Sequence, residues 1–248
     1  MSQYLIKIGR LNVHHTYYLN EFKSNEFCKF VIHCQTGLTS FKFGFIRRRC
    51  LTLVKSLSEP LANIFSGFLP NYRNEIRKAE KDGLVIEFTK DFDWYLNFHN
   101  EFSISKGLPI VRKELLAAYQ DDLIVSFVKC DDIILCAHVH QIYPTIGVVR
   151  LLFSSSYRFK ILGNSQLVGR ANKWLHWEDM KNFKEMGIVY YDFGGYSGSA
   201  IDQKKIGIDK FKKGFGGNLV ETIEYTSISY YCFSGVYYFV KKIINGVI

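Results

Sequence analysis

Two rhythms of apolar and polar residues run through the chain from residue 84 onward. Short apolar runs and period-two alternation are typical of strands, whereas apolar residues spaced three and four apart are typical of helices. These rhythms predict ten elements in the order β-α-α-β-β-β-α-β-α-β. Their predicted ranges are 84–88, 92–105, 111–119, 123–129, 133–142, 146–154, 165–186, 188–193, 203–213 and 219–225.

The three consecutive strands of this series are joined by short turns, Cys130-Asp131-Asp132 and Tyr143-Pro144. Strands joined so tightly pair in antiparallel fashion, which predicts a meander. A meander between helical units indicates an α/β (α+β) fold with a mixed, mostly antiparallel sheet flanked by helices.

The first third of the chain is rich in β-branched and aromatic residues. It predicts strands at 27–33, 39–45 and 47–54, and then a helix over 72–82 that ends at Gly83. We therefore expect two domains. Residues 1–82 form a β-rich subdomain with a closing helix, and residues 83–248 form the second domain.

Composition and charge narrow the class of protein. The 248 residues are 48% apolar and 22% charged, which is enough to bury a core, and the net charge is +9. A basic balance favours anionic partners such as nucleic acid, anionic lipid or a phosphorylated small molecule, and it does not choose among them.

The cysteines and the apolar runs predict a compartment. Six cysteines occur without a C-x-x-C motif, which indicates reduced thiols and a cytoplasmic location. The chain begins with no recognisable signal peptide. The longest apolar stretch, residues 228–240, is interrupted by serine and glycine and is too short to cross a bilayer, so we expect no membrane span.

Three motifs carry a resemblance to a known family. They are RNEIRKAEKDG at 73–83, YDFGG at 191–195, and IGIDKFKKGFGG at 206–217, which leads into Val220-Glu221. In order and separation these motifs resemble the Fem-type branch of the GNAT acyltransferase superfamily. That branch includes aminoacyl transfer enzymes of peptidoglycan bridges and acyltransferases of polysaccharide assembly.

The resemblance implies a GNAT fold with a short, β-rich, GNAT-like N-terminal half. Members that use charged tRNA are longer, and several have a coiled-coil arm, whereas this chain has no sustained heptad pattern. The likeness therefore favours a compact relative that acylates the amino group of an amino sugar, nucleotide-linked, in surface-polysaccharide synthesis. Acyl-coenzyme A would be the donor, and no metal is expected.

The resemblance also implies where substrates bind. The donor would pair with the backbone of the fourth GNAT strand and place its pyrophosphate on the loop that follows. Those cofactor-binding positions are Leu152, Phe153, Ser154, Arg158, Lys160, Gly163 and Asn164. The expected acceptor-binding positions are Arg73, Arg77, Tyr191, Gly194, Gly195 and Lys210. Arg73 and Arg77 lie on one face of the predicted helix. Their alternative role is to form an ordinary solvent-exposed face of that helix.

Attack of an amine on a thioester requires a general base. Asp192 is the first candidate, and its alternative role is to hold the Gly194-Gly195 turn. His138 and His140 share one face of a predicted strand, and their alternative role is a buried structural one. His99 and Glu101 on the predicted helix 92–105 are further candidates.

The His-x-His pair also raises the question of a metal site. A third histidine or a glutamate at metal-ligand spacing is missing nearby, so the sequence predicts no metal.

Three functions stay open at this point. The first is acyl-coenzyme A-dependent N-acylation of an amino sugar, and the second is aminoacyl-tRNA-dependent transfer onto a peptidoglycan precursor. The third is non-catalytic binding of nucleic acid or an anionic surface, which rests on charge and aromatic content alone. We expect small-molecule partners and no stable nucleic-acid partner, and the sequence leaves the oligomeric state open.

Overall fold

The computed structural model describes residues 2–8, 11–22, 26–157 and 165–235. The chain divides into two compact units. The smaller contains the chain up to Leu51 and the chain from Glu221, and the larger is Thr52–Val220. This division does not follow the predicted boundary at residue 82, because the helix that precedes it packs inside the larger unit.

The smaller unit is a mixed sheet. Its strands are β1 (Ser2–Ile8), β2 (Leu11–Tyr17), β3 (Val31–Thr36), the first part of β4 (Phe45–Ser56) and most of β10 (Asn218–Ser227). β1 pairs antiparallel with β2, β2 pairs parallel with β3, and β3 pairs antiparallel with β10. The sequence patterns did not predict β1 or β2.

The predicted strand over 39–45 is wrong, because this segment is a loop that leads into β4. The aromatic alternation there resembles a strand, but Phe41 and Phe43 are 84% and 73% exposed. Gly44 takes a left-handed φ of 81°, which favours glycine and ends the extended run. The Tyr225 hydroxyl donates to the Ser40 carbonyl (2.6 Å) and holds the loop.

The larger unit contains the sheet that carries the predicted meander. Its strands are β5 (Val85–Thr89), β6 (Leu123–Cys130), β7 (Ile133–Tyr143), β8 (Val148–Ser156) and β9 (Tyr190–Tyr196), with the end of β4 beside β9. β5 to β8 pair antiparallel in order, and β8 pairs parallel with β9. The predicted mixed, mostly antiparallel sheet is confirmed.

The described residues of the same unit form six α-helices. They are α1 (Leu61–Ser66), α2 (Pro70–Ala79), α3 (Asp93–Lys106), α4 (Lys113–Tyr119), α5 (Ser165–Glu185) and α6 (Gln203–Lys213). Gly107 ends α3 in the left-handed conformation, and the Asp202 carboxylate caps α6 by accepting from the Lys204 and Lys205 amides. All of the helices that the sequence predicted are present, and α1 is additional.

The main core lies between α5 and the sheet. Met180 and Phe183 of α5 pack with Val149 of β8 and Phe193 of β9, and all four are buried. Full burial of each such side chain contributes roughly 1.5–3 kcal/mol, so this contact fixes α5 across β8 and β9.

Within the described residues, no helix has the length and apolar character that a membrane crossing requires.

Candidate active site

The two central parallel strands of the larger unit separate partway along their length. β8 and β9 pair only at Val148–Tyr190, Val149–Tyr191 and Arg150–Asp192. Beyond that point β8 continues to Ser156 and β9 to Tyr196 without further pairing between them. Among the described strands, β8 is therefore paired with β7 alone over its second half, and we call the region in which β8 and β9 are no longer paired the gap.

Gly194 lies where the strands separate. Its φ is +74°, and a Cβ placed on it would lie 2.9 Å from the Leu151 carbonyl oxygen. Only glycine combines a left-handed φ with this close approach to the neighbouring strand. The turn is held by the Gly194 amide, which donates to Asp192 Oδ1 at 2.7 Å.

Asp192 is 2% exposed at the last paired position of β9. Its Oδ1 accepts hydrogen bonds from the Gly194 amide and from the Thr52 hydroxyl of β4. The Thr52 hydroxyl also lies 2.8 Å from the Gly194 carbonyl oxygen. Its Oδ2 lies 3.8 Å from Arg150 Nε. One carboxylate oxygen thus holds the turn, and the other faces a cation.

A second cation approaches the same place from α6. Lys212 Nζ donates to the Gly195 carbonyl at 2.6 Å. Burial lowers the pKa of Lys212, and the positive charge of Arg150 lowers it as well. The carboxylates of Asp192 and Asp209 raise it, but the net shift is downward. Arg150 and Lys212 together make the start of the gap a place where an anionic group would be stabilised.

α3 places a buried polar group against the unpaired part of β8. His99 Nδ1 lies 2.7 Å from Ser155 Oγ, and the Tyr95 hydroxyl lies within 3.2 Å of both atoms. The His99 ring contacts Phe153, with centroids 4.9 Å apart. Burial lowers the pKa of His99 to about 4, so the ring is neutral near pH 7 and is a weaker base than an exposed histidine.

His138 and His140 lie in a different environment, fully buried against α5. His138 Nδ1 lies 2.7 Å from Asp179 Oδ2, and its Nε2 lies 2.8 Å from Asn172 Oδ1. His140 Nε2 lies 2.9 Å from the Tyr191 hydroxyl.

The same tyrosine bridges to a third histidine, since His176 Nδ1 also lies 2.9 Å from the Tyr191 hydroxyl. Burial lowers the pKa of His140 to about 4 and raises that of Tyr191 well above its ordinary value. Tyr191 and Asp192 are consecutive in β9 and point to opposite faces of the sheet. The structure therefore does not bring His138 and His140 together with Asp192.

Comparison with known proteins is informative through structure alone. No protein-family model and no curated protein matches the chain. FemX superposes with a TM-score of 0.64 at 11% identity, covering 94% of this chain and 85% of FemX. This is the Fem-type, GNAT-like fold.

Two further structures share the Fem-type fold. One is the C-terminal domain of a protein from Agrobacterium fabrum described as a lysylphosphatidylglycerol synthetase, with TM-score 0.56 and 11% identity over 90% of this chain and 80% of that one. The other is L-PGS from Bacillus licheniformis, with TM-score 0.55 and 12% identity over 91% of this chain and 80% of that one. The predicted fold class is confirmed, and so is the fold that the resemblance implied.

The predicted donor positions divide into two groups in the Fem-type fold. Leu152, Phe153 and Ser154 are half-buried on β8 beyond its last pair with β9. Their expected contact with the donor stays a prediction. The remaining donor positions lie outside the described residues, namely Arg158, Lys160, Gly163 and Asn164.

The predicted acceptor positions are scattered. Gly194 and Gly195 lie at the gap. Arg73 donates to the Phe68 carbonyl (3.1 Å) and to the Ser66 carbonyl at the end of α1, and Arg77 lies over the Phe65 ring.

Three further predicted positions also differ from one another in their surroundings. Tyr191 is fully buried in the histidine network, and Lys210 is exposed on α6. Glu101, a further base candidate, is exposed on α3. The structure thus joins Asp192 with the two glycines and leaves the others apart from them.

The sequence alone did not identify Arg150, Thr52 or Ser155, whereas it offered Lys212, together with Lys210 and Lys213, as a candidate phosphate contact. A signal for Arg150 exists, since it is a lone cation in the apolar run Val148-Val149-Arg150-Leu151-Leu152. The sequence alone does not distinguish Lys212 from the neighbouring lysines. In the structure Lys212 is half-buried, whereas Lys210 is exposed.

Proposed function

We propose that the chain is an acyltransferase and that acyl transfer takes place in the gap between β8 and β9. The observation that carries this proposal is the end of strand pairing at Arg150–Asp192 while both strands continue. An extended donor can pair with the open edge of β8 there. Backbone amides near Leu152 and Phe153 would then stabilise the oxyanion that forms when the carbonyl is attacked.

The donor that we propose is acyl-coenzyme A, in keeping with the GNAT-like fold. The acceptor that we propose is the amino group of an amino sugar, nucleotide-linked. Arg150 and Lys212 support an anionic substrate, because two partly buried cations flank the start of the gap.

The reaction needs one proton to leave the attacking amine. The nitrogen adds to the carbonyl carbon, the proton passes to a base, and the thiolate of the donor departs as the carbonyl re-forms. Asp192 is the base that we propose, acting through Oδ2, since Oδ1 already accepts from Thr52 and Gly194.

The Asp192→Asn variant tests this assignment. An asparagine oxygen can still accept from the Gly194 amide, so the turn survives while the basic carboxylate is lost. We expect turnover to fall by at least roughly a hundredfold with little loss of donor affinity. Asp192→Ala is the matched comparison, because it removes the turn contact as well and should also lower stability. Turnover near wild type in the asparagine variant would refute the base assignment.

A second candidate is aminoacyl transfer from charged tRNA to a peptidoglycan precursor. The observation that favours it is that FemX gives a TM-score of 0.64 over 94% of the chain. The Agrobacterium fabrum domain and L-PGS give lower TM-scores with the same fold.

Calorimetric titration separates the two donors. The purified chain is titrated with acetyl-coenzyme A and with a few longer acyl-coenzyme A esters. Saturable micromolar binding of one ester supports the first candidate and narrows the acyl group. Absence of binding by a folded chain refutes the coenzyme A donor, and transfer is then measured with charged tRNA.

A further inference from the structure

We propose that His138, His140 and Asp179 bind a divalent transition-metal ion of the zinc type. Their ligand atoms all lie within 4.8 Å of one another. Asp179 Oδ2 is 2.7 Å from His138 Nδ1 and 3.6 Å from His140 Nε2. A tetrahedral zinc ion with bonds of about 2.0–2.1 Å places its ligand atoms about 3.3 Å apart. The separation of Asp179 Oδ2 from His138 Nδ1 is shorter than that value, and its separation from His140 Nε2 is longer.

The surroundings orient these ligands. Asn172 Oδ1 lies 2.8 Å from His138 Nε2, so a proton on Nε2 leaves Nδ1 as the lone-pair nitrogen that points at Asp179. Metal-bound histidines commonly have their second nitrogen fixed as Asn172 fixes Nε2 of His138. In His140 the Tyr191 hydroxyl lies 2.9 Å from Nε2, the same nitrogen that lies 3.6 Å from Asp179 Oδ2.

Two buried atoms of the cluster point to a missing partner. Asp179 Oδ1 and His140 Nδ1 have no hydrogen-bond partner in the described structure, although both side chains are 0% exposed. A buried carboxylate is costly without a countercharge. Within the described residues, the ion pairs of Asp179 are with histidines and not with lysine or arginine. A divalent ion would supply the charge and give Oδ1 a second point of contact.

The ligand types decide the class of ion. Two imidazole nitrogens and one carboxylate suit zinc and its neighbours, whereas calcium and magnesium prefer oxygen ligands alone. The cluster is enclosed by α5 and the sheet and none of its three ligands is exposed, so a substrate has no access to it and we assign the ion a structural role. The metal would therefore join β7 to α5.

Metal analysis of the full chain tests the proposal. The protein is made without a histidine tag, purified without chelator and analysed by inductively coupled plasma mass spectrometry. We expect about one zinc per chain, and we expect chelation to lower Tm and added zinc to restore it. Less than about a tenth of an equivalent, with no effect of zinc on Tm after refolding in its presence, would overturn the proposal. His138 and Asp179 would then form a plain hydrogen-bonded pair.

Two variants sharpen the test. Asp179→Asn keeps the size of the side chain and removes its charge, so the metal content should fall by at least about tenfold. His176→Asn is the control, because it removes an equally buried histidine of the same network that is not a ligand, and zinc should remain. Equal zinc content in both folded variants would count against the site. If Asp179→Asn does not fold, the metal content and Tm of the wild-type chain decide.

Discussion

Gly194→Ala is the substitution that tests most directly how the gap is built. The residue lies at the separation of β8 and β9 with a φ of +74°, and an added Cβ would lie 2.9 Å from the Leu151 carbonyl oxygen. That oxygen belongs to the backbone of a central strand and cannot rotate away. Alanine must therefore either strain its own backbone or push the two strands apart.

The expected loss follows from three contributions. A non-glycine residue in the left-handed region costs about 1–2 kcal/mol. Overpacking against a fixed neighbour costs about 1–3 kcal/mol. The lower freedom of alanine in the unfolded chain offsets about 0.4–1 kcal/mol. The net expectation for Gly194→Ala is a loss of about 3 kcal/mol of unfolding free energy.

Urea denaturation followed by tryptophan fluorescence measures this loss. All three tryptophans, Trp94, Trp174 and Trp177, belong to the larger unit, so the signal reports the unit that contains the site. With a slope of about 2 kcal/mol per molar, the midpoint should fall by roughly 1.5 M.

Gly195→Ala is the matched control, because Gly195 has no positive φ and nothing lies within 4 Å of its Cβ position. Its midpoint should stay close to wild type or rise slightly. Equal midpoints for the two variants would refute the reasoning about the close approach at Gly194.

Three further predictions concern single side chains. Thr52→Val removes the hydroxyl that contacts Asp192 and should cost about 1–3 kcal/mol in the same urea titration, because buried acceptors lose their donor; an unchanged midpoint would contradict it. Burial raises the pKa of the Cys136 thiol, so a thiol reagent should label the exposed Cys28 and Cys232 first and Cys136 only in denaturant, as peptide mapping would show. The folded-state pKa of His99 is lowered to about 4, so the unfolded chain binds the extra proton and stability is lost as pH falls from about 6.5 towards 4. His99→Gln should bind about one proton fewer on unfolding, and an unchanged pH dependence would contradict it.

Much of the larger unit could be predicted because its patterns are local. The predicted helix 165–186 and the observed α5 (Ser165–Glu185) differ by one residue, since a long apolar stripe and Gly187 fix its end. The meander was also predictable, because two short turns leave adjacent strands no other partner. The false strand over 39–45 in the smaller unit arises where aromatic alternation continues into a loop, as at Phe41 and Phe43.

The composition of the candidate site was less predictable because its contacts are non-local. Asp179 contacts His138 but lies 41 residues after it in sequence, so spacing within a local motif does not reveal it. Thr52 reaches Asp192 across 140 residues. Side-chain contacts such as Thr52–Asp192 depend on which strands become neighbours in the sheet. A single sequence indicates the strand order only through its resemblance to a known fold.

β9 connects the two polar regions of the larger unit through consecutive residues. Tyr191 enters the histidine network on the α5 side, and Asp192 faces the gap on the other side. Because consecutive residues of a strand are coupled through the backbone, a shift of Tyr191 moves Asp192 as well. The buried network thus fixes the position of β9 relative to β7. Gly194 lies at the point where β9 then separates from β8. The hydrogen bonds of Tyr191 to His140 and His176 give this side of the sheet a more sharply specified geometry than apolar packing alone would, and they support the candidate site from below.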